Sequence, residues 1–325
     1  MPRVAVTRRI PEAGIAPLRA AADVTVWPGE GPPGQDELAE LLHGCDGALT
    51  MVTEPITAEL LDREPQLRVV SQFAVGYDNV DVPAATARGV AVCHTPGVLT
   101  DTTADFAFAL LMAAARQIVP SANYVRNGEW TTWRPMLFLG RDVHGATLGI
   151  VGLGRIGQAV ARRARGFDMR LLYTDVQRSP AAERETGATF VPLDDLLRES
   201  DFVTLHVSLT PETRHLIGTR ELGLMKRDAI LVNASRGPVV ATDDLVAALR
   251  EGRIGGAALD VTDPEPLPAG HPLLSLPNAL VVPHIASASV ATRDRMAELA
   301  ARNLLAVLRG ERPAHIVNPE VLERR

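Results

Sequence analysis

Cysteine is nearly missing from this sequence: Cys45 and Cys93 are the only two in 325 residues. They lie in separate segments, so neither a disulfide framework nor a multi-thiolate metal cluster is expected. Lysine is scarcer still, with Lys226 alone and arginine supplying the other 32 of 33 basic residues. That skew reads as genomic composition, and it strips an isolated arginine of functional weight. Basic excess is absent too. The formal net charge is −6, there is no basic tail, and we expect no nucleic-acid partner. No run of 18 charge-free apolar residues occurs, so no membrane partner is expected. Residues 1–6 open directly on a strand pattern with no apolar leader before them, which makes the cytoplasm the expected compartment. His43, His94, His144, His215, His271 and His315 show no metal-ligand spacing, and no metal is expected.

What is present is ordinary globular composition, 46% hydrophobic and 22% charged, in a length that suits about two domains. Short apolar runs at 4–7, 24–26, 48–51, 67–71 and 90–93 alternate with helical patterns such as 35–43 and 83–88. That rhythm predicts a mostly parallel sheet covered on both faces. Residues 101–116 are too long and too evenly apolar for a strand; they predict a buried helix capped by Thr100 or Asp101. Residues 128–145 are irregular. The strand–helix rhythm then restarts, with six candidate strands at 147–151, 169–174, 202–206, 229–233, 256–260 and 280–282. Six strands suit a doubly wound sheet, and an amphipathic helix over 289–308 follows.

Residues 152–157 read Gly-Leu-Gly-Arg-Ile-Gly. Alone, this pattern is modest evidence. Here it follows a strand and opens a helix over 158–165, and Asp175 ends the next strand, 18 residues past Gly157. That is the full dinucleotide-binding fingerprint. Gly152 permits the tight turn, Gly154 lets the backbone approach a pyrophosphate, and Gly157 allows close helix–strand packing. The helix N-terminus offers N–H groups to the phosphates. Asp175 accepts the ribose hydroxyls and repels a 2′-phosphate, so NAD is expected rather than NADP. Arg178 weakens that exclusion without reversing it.

In such a sheet, ligands gather at the carboxyl ends of the strands. Four polar residues follow apolar strands there: Arg236 in the turn Asn-Ala-Ser-Arg-Gly, Asp260, Glu265 in Asp-Pro-Glu-Pro, and His284 after Val-Val-Pro. Hydride exchange between a carbinol and NAD leaves a proton to be handled, and histidine titrates near neutrality. Glu265 beside His284 would favour the imidazolium. Arg236 offers a planar fork to a carboxylate or carbonyl oxygen. Asp260 suits a nicotinamide carboxamide, or else a helix cap. His206 ends a strand and either lines the cofactor cleft or is structural.

Several separated stretches resemble the D-isomer-specific 2-hydroxyacid dehydrogenases: Val75-Gly76-Tyr77-Asp78-Asn79, the stretch from Thr95 to Ala104, the dinucleotide loop, and residues 205–213 and 232–237. The resemblance implies two Rossmann-like α/β domains. A flavodoxin-like substrate domain (1–99 and 287–325) would be interrupted by a doubly wound NAD-binding domain (100–286). It implies catalysis by Arg236, Glu265 and His284, and substrate binding by Val75, Gly76, Arg236 and His284. It implies cofactor contacts from Thr103, Arg155, Ile156, His206, Thr213, Ala234, Arg236, Asp260 and His284, beside the glycines and Asp175. A homodimer built on the cofactor domain and the helix from Asp101 is expected. Gly128-Glu129-Trp130, Trp133-Arg134-Pro135 and Leu139-Gly140 look like the glyoxylate/hydroxypyruvate reductases. In those enzymes Trp133 would either reach the partner's substrate site or anchor the dimer. The expected activity is NADH-dependent reduction of a small 2-oxo acid. A 3-phosphoglycerate or phosphite dehydrogenase and a non-enzymatic NAD-sensing corepressor are the alternatives. Ser208 and Ala241 stand where the family commonly has a proline and an acidic residue; neither is a catalytic position.

Overall fold

The computed structural model describes residues 1–323. The chain folds as two compact units, one made of Met1–Leu99 and the residues from Ala288 onward, the other of Thr100–Ser287. In the first unit, β1 (Arg3–Val6), β2 (Asp23–Val26), β3 (Gly47–Thr50), β4 (Val69–Gln72) and β5 (Ala91–Cys93) pair in the order β2-β1-β3-β4-β5. Every pairing is parallel. Strands β3 and β4 are buried along their whole length, as the inner strands of a doubly covered parallel sheet must be; the edge strand β5 is buried as well, with Cys93 bridged to Ile316 of the tail. This is the flavodoxin-like order, with its switch point between β1 and β3.

Helices Glu12–Ala21 and Val290–Leu308 cover this sheet and lie against each other. Gly14 makes their close approach possible, since a Cβ there would stand 2.8 Å from the Cβ of Ala297. The tail is fastened by buried Asn318, which accepts from the Val92 N–H at 2.8 Å and donates to the Val90 carbonyl at 2.9 Å. The first helix has no counterpart in the sequence expectations. Pro17 sits inside it and removes one backbone donor, which obscures its pattern.

In the second unit, β6 (Thr147–Val151), β7 (Arg170–Thr174), β8 (Thr189–Phe190), β9 (Phe202–Leu205), β10 (Ile230–Asn233), β11 (Gly256–Leu259) and β12 (Ala279–Val281) form one parallel sheet, ordered β12-β11-β10-β9-β6-β7-β8. Seven strands stand where six were expected. The extra one, β8, is a two-residue edge strand paired to β7, too short to show a hydrophobic period. The order reverses between β6 and β9, and there the carboxyl ends open a crevice.

Helix Thr100–Ala115 packs its Ala104, Ala107, Phe108 and Leu111 into the core of this unit beside Leu148, Ile150 and Val232. Each fully buried Leu, Ile or Phe side chain contributes about 1.5–3 kcal/mol of burial. The helix is tied to the neighbouring helix Arg155–Arg165 by Arg163, which reaches Asp105 at 2.6 Å and Asp101 at 3.3 Å. It ends where Gln117 turns left-handed (φ 50°) into the helix Ile118–Arg126. Among the described residues, no single helix is long and apolar enough to cross a membrane.

Candidate active site

Two clusters form at the carboxyl ends of the second sheet. The first is the loop between β6 and the helix Arg155–Arg165. Gly152 has φ +93°, and a Cβ there would fall 2.8 Å from the His206 carbonyl oxygen. At Gly157 a Cβ would sit 2.1 Å from the Gly152 carbonyl oxygen. Both positions therefore require glycine. Gly154 differs: its φ is −70°, and a Cβ would enter open space. Sterics inside the protein do not require glycine there, so the empty volume is room for something else. Gly154 is the N-cap of the helix and gives no side-chain cap, so Arg155 and Ile156 begin the helix with backbone donors directed outward.

Asp175, just past β7, accepts from the Leu153 N–H at 2.8 Å through one oxygen and from the Val176 N–H at 2.7 Å through the other. Each oxygen keeps a lone pair for a further donor. A cradle at Gly154, an uncapped helix start and a carboxylate on the next strand together fit a dinucleotide. His206 follows β9 beside this loop. Its Nε2 meets the Thr204 hydroxyl at 2.9 Å, and its buried Nδ1 has no partner. Burial pushes its imidazole down to about 4, so His206 is neutral at pH 7. Thr213 consolidates the loop after β9, accepting from Thr210 N–H at 2.8 Å and donating to the Ser208 carbonyl at 2.7 Å. Thr103 is buried in the helix Thr100–Ala115.

The second cluster joins the ends of β10, β11 and β12. Buried Asn233 shapes the turn after β10. Its Oδ1 accepts from the Ser235 N–H (3.0 Å) and hydroxyl (2.8 Å), and its Nδ2 donates to the Arg236 carbonyl at 2.9 Å. Ala234 lies half-buried in this turn. The Arg236 Nη1 donates to the Ser235 carbonyl at 2.8 Å, which bends the guanidinium back over its own turn. Gly237 lets the turn seat on the neighbouring loop, for a Cβ there would lie 1.8 Å from the Thr262 carbonyl oxygen.

Thr262 N–H in turn reaches one oxygen of Glu265 at 3.4 Å, and the other oxygen holds the Nδ1 of His284 at 2.6 Å. Burial alone would raise the Glu265 carboxyl. The hydrogen bond and charge of His284, the Thr262 N–H and the charge of Arg236 outweigh it and hold the group below the ordinary carboxylate range. Since a carboxylate only accepts, the shared proton belongs to Nδ1, and Nε2 is left as the working nitrogen.

His284 has φ +53°, a left-handed backbone uncommon outside glycine. Asp260 holds it there. Its carbonyl accepts from the His284 N–H at 2.8 Å, and its carboxylate takes the N–H groups of Ile285 (2.7 Å) and Ala286 (3.0 Å). Burial pushes the Asp260 carboxyl up in spite of those two donors. Both Asp260 oxygens thus already serve the backbone beside His284, a task that neither sequence reading of it included.

Arg236, Asp260, Glu265 and His284 are therefore brought together, as are the glycine loop, Asp175 and His206. Trp133 belongs to neither cluster; it is 77% exposed on the irregular stretch after the helix Ile118–Arg126. In the first unit, Val75 and Gly76 follow β4, and the Val75 carbonyl lies 2.8 Å from the Nδ1 of His94. Thr262 and His94 had no predicted role. A lone threonine gives no signal in a sequence, and neither does a lone histidine without metal-ligand spacing.

The sequence profile of the D-isomer specific 2-hydroxyacid dehydrogenases, NAD binding domain, matches residues 108–286. A glyoxylate reductase of Korarchaeum cryptofilum is 55% identical over 325 residues, covering 100% of this chain and 98% of that protein. The crystal structure of a Thermus thermophilus protein superposes with a TM-score of 0.92 at 50% identity, over 97% of this chain and 99% of that one. An NADPH-dependent glyoxylate/hydroxypyruvate reductase of Sinorhizobium meliloti gives a TM-score of 0.87 at 32% identity, over 98% of this chain and 97% of that one. The chain belongs to the D-isomer specific 2-hydroxyacid dehydrogenase family and is an enzyme of that family with an NAD-binding domain.

Proposed function

We propose that this enzyme reduces glyoxylate or hydroxypyruvate to the corresponding 2-hydroxy acid, with NADH as reductant. The supporting observation is the 2.6 Å hydrogen bond between Glu265 and the Nδ1 of His284, formed beside the charge of Arg236. Near-full-length relatives are glyoxylate reductases. When bound, NADH would supply the hydride that C2 of the oxo acid accepts. Arg236 grips and polarises the substrate carbonyl, and the family resemblance assigns the substrate carboxylate to the N–H groups at Val75 and Gly76. His284 donates the proton from Nε2 to the carbonyl oxygen, which completes the alcohol. Glu265 orients the ring through its hydrogen bond to Nδ1. Asp260 keeps the His284 backbone in place and, with Thr103, His206, Thr213 and Ala234, borders the cofactor. Gly152, Gly154, Gly157, Arg155 and Ile156 would hold the pyrophosphate, and Asp175 would accept the adenosine ribose hydroxyls, which favours NAD over NADP.

We also propose a homodimer. Ile118, Val119, Val125, Trp130, Met136 and Leu139 are all exposed on one short stretch, and exposed apolar side chains grouped in this way mark an interaction surface.

Steady-state assays with glyoxylate, hydroxypyruvate and other 2-oxo acids test the activity. Turnover with NADH is expected, and His284→Ala should lower it by roughly 10²-fold or more. Absence of turnover with every 2-oxo acid overturns the proposal. Tight NAD binding without any turnover would instead favour an NAD-sensing protein.

A further inference from the structure

A 2′-phosphate is accepted in this fold when a cation stands near the carboxyl end of the second strand. Between Asp175 and the helix Pro180–Thr186, Arg178 is the only basic residue. It is in the right loop, three residues past Asp175, so the sequence alone leaves the exclusion of NADP incomplete.

The structure shows how Arg178 is used. Its Nε donates to one oxygen of Glu183 at 2.7 Å and its Nη2 to the other at 2.9 Å, a two-pronged ion pair. Glu183 is anchored in turn. Its Oε1 accepts from the Tyr173 hydroxyl at 2.9 Å, and that hydroxyl accepts from the Ser179 N–H at 2.9 Å. Tyr173 is fully buried in β7. The carboxylate end of the pair is therefore the fixed one, with 16% of its side chain exposed against 64% for Arg178. Exposed ion pairs are ordinarily weak, but two-pronged geometry on an anchored partner is the arrangement that escapes this rule. Consistent with it, the hydrogen bond from Arg178 holds the Glu183 carboxyl below its ordinary range.

We propose that Glu183 is a cofactor-specificity residue: it withholds Arg178 from a 2′-phosphate, so NADP is excluded both by the carboxylate of Asp175 and by the capture of the one basic side chain in this loop. This rests on the assignment of the loop after β7 to the adenosine ribose. Neither device needs the other to exist, yet their removal is coupled. With Asp175 in place, a released Arg178 still faces a carboxylate in the phosphate position. With Glu183 in place, removal of Asp175 leaves a site with its cation neutralised.

The test is a double-mutant cycle read by fluorescence titration of NADPH and NADH binding, a measure independent of turnover. The proteins are the parent, Asp175→Ser, Glu183→Gln and the double variant. Glutamine still accepts from the Tyr173 hydroxyl, so the loop keeps its anchor while Arg178 loses its counter-charge. The NADPH affinity of the double variant should exceed the product of the two single effects by at least threefold, and NADH affinity should show no such coupling. Adding Arg178→Gln to the double variant should abolish the excess. Thermal melts of all variants establish that the fold is retained. A cycle that is simply multiplicative, in a parent that discriminates against NADPH, overturns the role of Glu183 alone. A parent that binds NADPH as tightly as NADH overturns the ribose assignment and the proposal together.

Discussion

A carbonyl oxygen accepts hydrogen bonds and cannot donate them, so the 2.8 Å contact between His94 and the Val75 carbonyl places a proton on Nδ1 of that histidine. The neighbouring carbonyl, of Ala74, is held by the Thr95 N–H at 2.8 Å. His94 is itself braced: the buried Asn303 donates to its carbonyl at 3.0 Å, and the Tyr77 ring meets it edge-on at 5.5 Å. The stretch after β4 assigned to the substrate carboxylate is thus fixed from the end of β5. One neutral hydrogen bond is worth about 1 kcal/mol, roughly a fivefold effect. His94→Ala should therefore raise KM for the 2-oxo acid by about three- to tenfold, with a smaller change in kcat and no change in NADH affinity. His94→Asn should restore most of the loss, because the asparagine Nδ2 occupies nearly the position of Nδ1. Loss of NADH affinity in the alanine variant, or failure of asparagine to rescue KM, would count against a positioning role.

At the scale of elements, the loop after β6 separates two kinds of glycine. Gly157→Ala forces a methyl to within 2.1 Å of the Gly152 carbonyl oxygen, so the loop or the helix must shift. A clash of this kind typically costs about 1–3 kcal/mol or more. At Gly154 a side chain meets open space. Gly154→Val should keep the parent melting temperature to within a few degrees and weaken NADH binding at least tenfold, whereas Gly157→Ala should lower both stability and binding. Equal NADH affinity in Gly154→Val and the parent, measured by titration, would show that the space is not used by the cofactor.

This loop was legible because its parts are local: strand, glycines and helix are contiguous, and β6 falls on the expected residues 147–151. The ends of β10 to β12 were legible for the same reason, since a polar residue after an apolar run is visible in one dimension. The engagement of Asp260 with Ile285 and Ala286 was not, because a strand-end carboxylate looks alike whether it faces a ligand or a neighbouring loop. Helix Glu12–Ala21 and strand β8 escaped for local reasons, a proline inside the one and two residues in the other.

At the scale of the whole molecule, the apolar stretch around the helix Ile118–Arg126, which has no buried residue of its own, calls for a cover. Val119 and Leu139 are exposed near its two ends, and Trp130, Trp133 and Met136 are exposed between them. A second copy of the chain satisfies this surface by symmetry, since the same patch on both partners is self-complementary. Sedimentation of the parent should give the mass of two chains. Val119→Glu with Met136→Glu should give one, because two carboxylates per chain would have to be buried unpaired at the interface. Trp133 adds a functional arm to this experiment. If its ring serves the partner's substrate site, Trp133→Ala keeps the dimer and raises KM for the 2-oxo acid, and the monomeric double variant shows a similar rise. If Trp133→Ala leaves KM unchanged while weakening self-association, the ring is an anchor and the substrate site is complete within one chain. A parent that sediments as a single chain refutes the dimer outright.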